Sequence, residues 1–490
     1  MAISFDRIPA NIRVPGVFSE IDNSQAISGS RLLNYRILLM GQKLAAGSAA
    51  ALTPVRVTSV KAAQTLFGIG SMLAIMVEAA QASNSFTELW AQPIEDSSAA
   101  AAAVGSLTFG GAPTASGTIS VYIGGKRVQI GATSTDTPAS LATALAAAVA
   151  ANTSLPVTAA VDGTTTSKVN FTARNKGEAG NGIDVRVNYY GESLPAGLTE
   201  TIVALTGGTG NPDVAPALAA LGDEWFQVIG MPYTDAANLA VLETELDSRF
   251  GPMREIEAHA FAAARGTHST LGTLGDSRNS PHVTIVAAAS EPMPPFAKAA
   301  ETAAIAAFYA SIDPARPLQT LPYAYCLAPA EADRFTLEER NMLLYDGIAT
   351  TTVNASGVMQ FERMVTTYKT NAAGGSDTSY LDVETLFTLM YLRHDWRDTI
   401  RQKYPRHKLA SDGTRFGAGQ AVVTPNTIKA EAVAKFLDWE DAGLVENFDQ
   451  FRSGLIVERN ASDPNRLDVL MPPDIINGLR VVATKIQFRL

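Results

Sequence analysis

Residues 283–289 read VTIVAAA, a nearly continuous apolar run of strand length. A strand of that composition expects cover on both faces, as in the parallel sheet of an α/β protein. Its neighbours fit the same scheme. Upstream, the spacing predicts a helix over Val214 to Leu221, a strand over Trp225 to Gly230, a helix over Ala236 to Phe250 and a strand over Ile256 to Ala262; downstream it predicts a helix over Pro295 to Ala310. Helices alternating with apolar strands predict a sheet layered between helices. Nearer the start, Asn34 to Met40 (NYRILLM) reads as another buried strand. Val60 to Ala82 reads as a helix interrupted at Phe67-Gly68-Ile69-Gly70-Ser71, and Phe86 to Pro93 as a second strand.

This pattern breaks between an Ala/Ser linker at Ser97 to Gly105 and the run Gly207-Gly208-Thr209-Gly210-Asn211-Pro212. The intervening segment is rich in Thr, Gly and Val. Thr118 to Ile123 and Arg127 to Ile130, joined by Gly124-Gly125-Lys126, give a tight-hairpin signal. A helix over Pro138 to Ala151 starts after Thr135 and Asp136, and strands return at Val157 to Val161, Lys168 to Ala173 and Ile183 to Tyr190. A β-rich insertion thus splits the α/β core in sequence. The expected division is an N-terminal arm (1–30), core (31–104), insertion (105–210), core again (211–356), an α+β C-terminal domain (357–478) and a C-terminal arm (479–490).

The 490 residues are 46% hydrophobic and 18% charged, ordinary globular usage that supports several cores. A net charge of −10 argues against nucleic acid as the main partner. The opening MAISFDRIPANIR lacks a basic segment followed by an apolar run, so no secretory signal is expected, and no apolar run is long enough to span a bilayer. The single cysteine, Cys326, sits in an apolar segment and reads as a buried small hydrophobe.

Catalytic and ligand motifs do not accumulate. The five histidines, His259, His268, His282, His394 and His407, keep no metal-ligand spacing. Gly68-Ile69-Gly70-Ser71 follows a helix instead of a strand and lacks a third glycine, so a turn is the better reading than a dinucleotide loop. Gly124-Gly125-Lys126 has Ser120 and Arg127 where a phosphate loop needs Gly and Ser/Thr, and no G-x-S-x-G elbow occurs. His268, in Gly266-Thr267-His268-Ser269, fits loop capping or exposure. No cofactor is expected. A cryptic Ser/His/Asp site on the α/β core stays open as the enzymatic alternative.

Two features suggest contacts with other chains. Asp382 to Tyr404 reads as a helix with a capping-box signature at Ser379 and Asp382 and a stop at Pro405. Leu386, Leu389, Met390, Trp396 and Ile400 form its apolar stripe, while Arg393, Arg397 and Arg401 recur at every fourth position. From Arg393 to Lys408, six Lys/Arg minus two Asp leaves +4. That row fits either an acidic partner surface or a solvated face. The second feature is the two ends. Leu479 to Leu490 alternates as a strand, with Val482, Ile486, Phe488 and Leu490 on one face and Lys485, Gln487 and Arg489 on the other. Ile3, Phe5, Ile12, Val14, Val17 and Phe18 make the irregular N-terminal stretch similarly apolar. These ends either pair at home or serve as handles for neighbours. Just before the last strand, Leu455 to Glu458 and Leu467 to Met471 read as a hairpin leading directly into it.

The C-terminal blocks carry a resemblance. They read Thr366-Thr367-Tyr368-Lys369-Thr370-Asn371, Ser379-Tyr380-Leu381-Asp382, Tyr391-Leu392-Arg393, Lys403-Tyr404-Pro405-Arg406-His407-Lys408-Leu409, Val423-Thr424-Pro425, Gly443-Leu444-Val445-Glu446-Asn447 and Asp463-Pro464-Asn465-Arg466-Leu467. In that order they resemble the tail sheath proteins of contractile-tailed bacteriophages, in particular the Mu-like branch. The match extends to Leu155-Pro156-Val157-Thr158-Ala159, Thr172-Ala173-Arg174-Asn175-Lys176-Gly177, Gly180-Asn181 and Leu66-Phe67-Gly68-Ile69-Gly70-Ser71.

The resemblance implies a non-catalytic, subtilisin-like layered core and a virion tail subunit assembled in the host cytoplasm. Such subunits stack as hexameric rings around an inner tube, with baseplate and tail terminator proteins as further partners. It also implies an outward insertion, a C-terminal domain facing the tube through Arg393, Arg397 and Arg401, and arms exchanged between copies. The hairpin residues Leu455, Ile456, Val457, Leu467, Val469 and Leu470 are the expected arm acceptor. Another self-assembling shell protein, such as a capsid subunit, is the structural alternative.

Overall fold

In the computed structural model, which describes residues 33–489, the apolar run at 283 is the strand Val283–Ala288, buried at every position. Successive side chains point to opposite faces, so full burial means that both faces are covered. The strand belongs to an eight-stranded sheet in the order Met359–Arg363, Ile348–Val353, Val283–Ala288, His259–Arg265, Val228–Gly230, Arg36–Gln42, Glu88–Ile94 and Val55–Arg56. The inner strands run parallel and the two edge strands antiparallel. Arg36–Gln42 starts the sheet in its interior, with Leu38 opposite Trp90 on one side and Ile229 on the other. The sequence on either side of the insertion therefore meets at this strand.

One face is closed by the Ala-rich helix Pro295–Ile312, which packs on Met72–Ser83 and on four of the parallel strands. Small side chains permit close approach: a Cβ at Gly230 would lie 2.6 Å from Leu39 Cδ2 and 3.5 Å from Ala300 Cα. Two ionised groups enter this layer together. Lys298 pairs with Glu291 and also donates to Ala287 O at 2.7 Å and Thr351 Oγ1 at 3.2 Å. Burial of a charge is tolerated when it is paired and hydrogen-bonded in this way. Glu301, also buried, accepts the backbone N–H groups of Ala324, Tyr325 and Cys326. Cys326 is buried beside it, and burial pushes its thiol well above the ordinary range.

The insertion is closed at its neck by paired backbone hydrogen bonds between Ala101 and Thr209. It contains a four-stranded sheet (Leu198–Thr206, Val104–Gly111, Lys168–Ala173, Val157–Val161) and a three-stranded one (Lys126–Ala132, Gly117–Ile123, Val185–Val187). Helix Pro138–Ala151 matches its expected bounds, because Thr137 and Ser140 cap each other's backbone N–H groups and proline sits in the first turn. The hairpin turn also forms where expected, with Gly124 and Gly125 at φ +55° and +78°, a conformation that favours glycine.

Several expectations need correction. Of Trp225 to Gly230, only Val228–Gly230 pairs as a strand, and the Trp225 indole N–H donates to Glu257 O instead. The strand expected from Ile256 begins at His259. Residues 268–276 form a helix, His268–Asp276, that two internal glycines disguise; a Cβ at Gly275 would fall 2.2 Å from Asp346 O. His268 is its first residue, half-buried, and not a loop residue. The hairpin Ile348–Val353/Met359–Arg363 crosses residue 357 and remains with the core sheet.

Beyond it, the long helix Val383–Lys403 joins two cores. Val383, Phe387 and Met390 belong to the main one, while Leu392 packs in a second with Ala432, Phe436, Trp439, Leu444 and Phe451. The capping box anticipated at Ser379 and Asp382 does not form. Asp382 occupies the N-cap position without capping, because its carboxylate takes both Nε and Nη2 of Arg363 at 2.9 Å.

Candidate assembly surfaces

The basic row of the long helix is largely used within the chain. Arg393 Nη1 donates to Phe250 O at 2.6 Å and Glu257 Oε1 at 2.7 Å, and its guanidinium lies 4.6 Å from the Phe250 ring centroid. Arg397 Nη1 reaches Glu255 O at 2.9 Å and Oε2 at 3.0 Å, over the Trp225 ring. Burial pushes the Glu257 carboxyl upward, and Arg393 and Arg397 pull it back. These two arginines clamp the helix to the segment leading into His259–Arg265. This corrects the picture of a free three-arginine row for a tube. Arg401 is exposed and, among the described residues, has no ion pair; Arg406 and Arg415 share that state in the exposed loop that follows. Sequence periodicity placed the row on one helix face, yet the acids that meet it lie more than a hundred residues earlier.

The expected hairpin forms as Ile456–Arg459 against Leu467–Leu470, with Ile456 opposite Leu470 and Val457 opposite Val469. Leu455 is buried in the second core, and Val457 and Val469 pack against it. Ile456 and Leu470 face outward, about half exposed. A two-stranded sheet is marginal alone and presents open backbone edges. The hairpin does not lead directly into the final segment. Asp474–Ile475 first pairs with Val445–Glu446, and Ile476 N–H donates to Leu444 O, which ties the chain down between the two. So short a strand leaves little periodic trace.

From Asn477 to Arg489 no residue belongs to a strand or helix, and Val481, Val482, Ile486 and Phe488 are all exposed. Home pairing of the last strand, one of the two readings, is therefore absent from the described residues. The expected N-terminal arm residues Ile3, Phe5, Ile12, Val14, Val17 and Phe18, and Leu490 at the other end, lie outside the described residues. A further set of contacts was not anticipated: Arg480 reaches Asp382, Glu384 and Gln319.

No catalytic set assembles in the described part. His259 shares a hydrogen bond with Thr284 Oγ1 at 2.8 Å deep in the core, His282 faces Asp247 at 3.8 Å and His394 faces Asp398 at 3.6 Å. Among the described residues no histidine ring nitrogen hydrogen-bonds a serine hydroxyl, no metal-binding group of side chains is present, and no helix is long and apolar enough to cross a membrane.

A split α/β core with an unpaired apolar end and an open hairpin describes a self-assembling structural subunit better than an enzyme. Residues 207–367 match the phage tail sheath protein central domain, and residues 375–489 the phage tail sheath C-terminal domain. The chain belongs to the phage tail sheath family, structural proteins of contractile tails and not enzymes. It is 45% identical over 489 residues to the Mu-like prophage FluMu tail sheath protein of Haemophilus influenzae (strain KW20/Rd), covering 100% of both chains. Among solved structures it is similar to a sheath tail protein from Desulfitobacterium hafniense, with TM-score 0.48 and 13% identity over 94% of this chain and 100% of that one. It is also similar to a chain of the anti-feeding prophage baseplate in the contracted state, with TM-score 0.49 and 11% identity over 97% and 98%.

Proposed function

We propose that this sheath subunit polymerises with itself as stacked hexameric rings around an inner tail tube. The sheath then contracts by rigid-body rearrangement and drives the tube through the host envelope. The observation that carries this reading is the C-terminal segment, which leaves a well-packed body with its apolar residues in solvent. A strand added to an open edge gains main-chain hydrogen bonds, each worth a net ~0.5–1.5 kcal/mol, and buries alternate side chains. The hairpin Ile456–Arg459/Leu467–Leu470 is the acceptor in this scheme, and the apolar N-terminal stretch is the second donor. Subunits repeating head to tail produce a helical assembly, and strand links hold them while the bodies move.

The remaining parts take their places from the same reading. The insertion faces outward, and the C-terminal domain faces the tube through Arg401 and the exposed Arg406 and Arg415, with Arg393 and Arg397 setting the angle of the helix that carries them. Baseplate and terminator proteins close the two ends. Assembly takes place in the host cytoplasm, and the core is a non-catalytic version of a subtilisin-like layered sheet. No nucleotide is required, since the free energy resides in interfaces completed on contraction. Negative-stain electron microscopy of the purified chain tests the reading: hollow striated tubes are expected, and closed shells or persistent monomers would refute it. A chain ending at Gly478 should remain a folded monomer and form no tubes.

A further inference from the structure

The C-terminal segment is exposed from Val481 onward, but the residue before it is held. The Arg480 side chain is 14% exposed, and its Nη2 lies 3.2 Å from Asp382 Oδ1 and 3.0 Å from Glu384 Oε2. Its Nη1 donates to Gln319 Oε1 at 3.3 Å. Glu384, whose side chain is 7% exposed, also accepts the Leu318 N–H, and Asp382 is gripped from the edge strand of the core by Arg363. Two arginines and two carboxylates thus form a neutral cluster at the first turn of the long helix. Burial pushes the Glu384 carboxyl upward, and the neighbouring Arg480 guanidinium pulls it back.

We infer that Arg480 is the anchor of the C-terminal arm, a positioning residue that fixes where the arm leaves the body and passes tension on it into the long helix. The inference rests on the reading of the arm as a link between copies. Between Leu470 and Arg480 the backbone pairing is that of Asp474–Ile475 with Val445–Glu446, continued by Ile476 on Leu444, and all of it belongs to the small C-terminal lobe. A pull on the arm without the anchor would load these bonds one after another and peel them. With the anchor, the load enters at Asp382 and Glu384, on a helix that is seated in both hydrophobic cores. Removing Arg480 would leave the buried Glu384 carboxylate without its counter-charge. The anchor also sets a reach: the eight residues from Arg480 to Phe488 span at most ~29 Å when fully extended. The groove that receives Phe488 on a neighbour must lie within that distance in every state of the sheath.

The test uses the full chain below its critical concentration for polymer, where it is monomeric, with a nitroxide on a cysteine placed at Val482 and, as reference, at Phe488; Cys326 is buried and does not compete. The expected spectrum is restricted at 482 and mobile at 488. Arg480→Gln should abolish the restricted component at 482, and Arg480→Lys should retain part of it. Should Arg480→Gln fail to fold, the pair Arg480→Gln with Glu384→Gln removes the stranded charge and is expected to give the same mobile spectrum. An unchanged restricted spectrum in either variant overturns the anchor. Deletion of residues 481–490 tests the arm separately: tubes that persist after it overturn the arm reading and leave the monomer spectra to judge the anchor. A cryo-electron microscopy map with Arg480 and Phe488 of one copy more than ~29 Å apart would also overturn a fixed root.

Discussion

Replacing Ile486 and Phe488 by serine should separate folding from assembly. In the isolated chain the two side chains are 85% and 80% exposed, so their loss removes almost no contact within the subunit. Surface changes of this kind move stability by no more than about 0.5 kcal/mol. On a neighbour, full burial of an Ile or Phe side chain is worth ~1.5–3 kcal/mol. Since about four-fifths of each is still available to be buried, the pair should contribute ~2.4–5 kcal/mol per arm. At 1.4 kcal/mol per tenfold change, the double variant should raise the critical concentration for polymer by roughly two to three and a half orders of magnitude. The assay is pelleting of polymer across a concentration series, with thermal melting of the unpolymerised fraction alongside. A melting temperature that falls with the substitutions would show that the segment packs at home. An unaltered critical concentration would show that it joins nothing.

Other outcomes follow from the interior. Arg393→Ala should lower monomer stability by about 2–3 kcal/mol, because it strands the buried Glu257 carboxylate, and Glu257→Gln added to it should recover most of the loss; a double-mutant cycle by denaturant titration checks this. Lys298→Met should cost about 3–5 kcal/mol by leaving Glu291 charged and unpaired between helix and sheet, read as a lower urea midpoint. Burial lowers His259 to about 3 and His282 to about 4, so the unfolded chain takes up protons that the folded chain refuses once pH drops below about 6.5. Stability from these groups is complete above that pH and is lost on acidification toward pH 4, by up to about 1.4 kcal/mol per unit for each histidine. Melting temperatures across that range should flatten by one proton in His282→Gln. Gly125→Ala places a Cβ 1.7 Å from Met293 Sδ at a position with φ +78°, and should cost at least ~1–2 kcal/mol, part of which Met293→Ala restores in thermal melts.

Features written in neighbouring residues were legible. The bounds of Pro138–Ala151 and Ala236–Phe250 follow from caps and spacing within a single turn, and the Gly124-Gly125 turn follows from its own dihedral demands. Leu198–Thr206 was missed because most of it is exposed and its partner, Val104–Gly111, lies far back across the insertion. Asp474–Ile475 was missed because two residues cannot display a period. The arginine row was correctly placed on a helix, but neither a partner surface nor a solvated face accounts for Arg393 and Arg397, since nothing in their spacing names Glu257 or Glu255.

Local pattern along the chain was enough for the α/β alternation, the β-rich insertion that interrupts it and the apolar character of the C-terminal segment, because periodicity and turn chemistry act over a few residues. Which charges are spent inside the chain emerges from packing alone. Arg393 meets an acid 136 positions away and Arg480 an acid 98 positions away, across contacts that exist once the layers have packed. Coulombic pairing depends on distance through space and on burial, and neither is a function of distance along the chain. The same cause makes Arg480 fixed and Phe488 free, eight residues apart on one short segment.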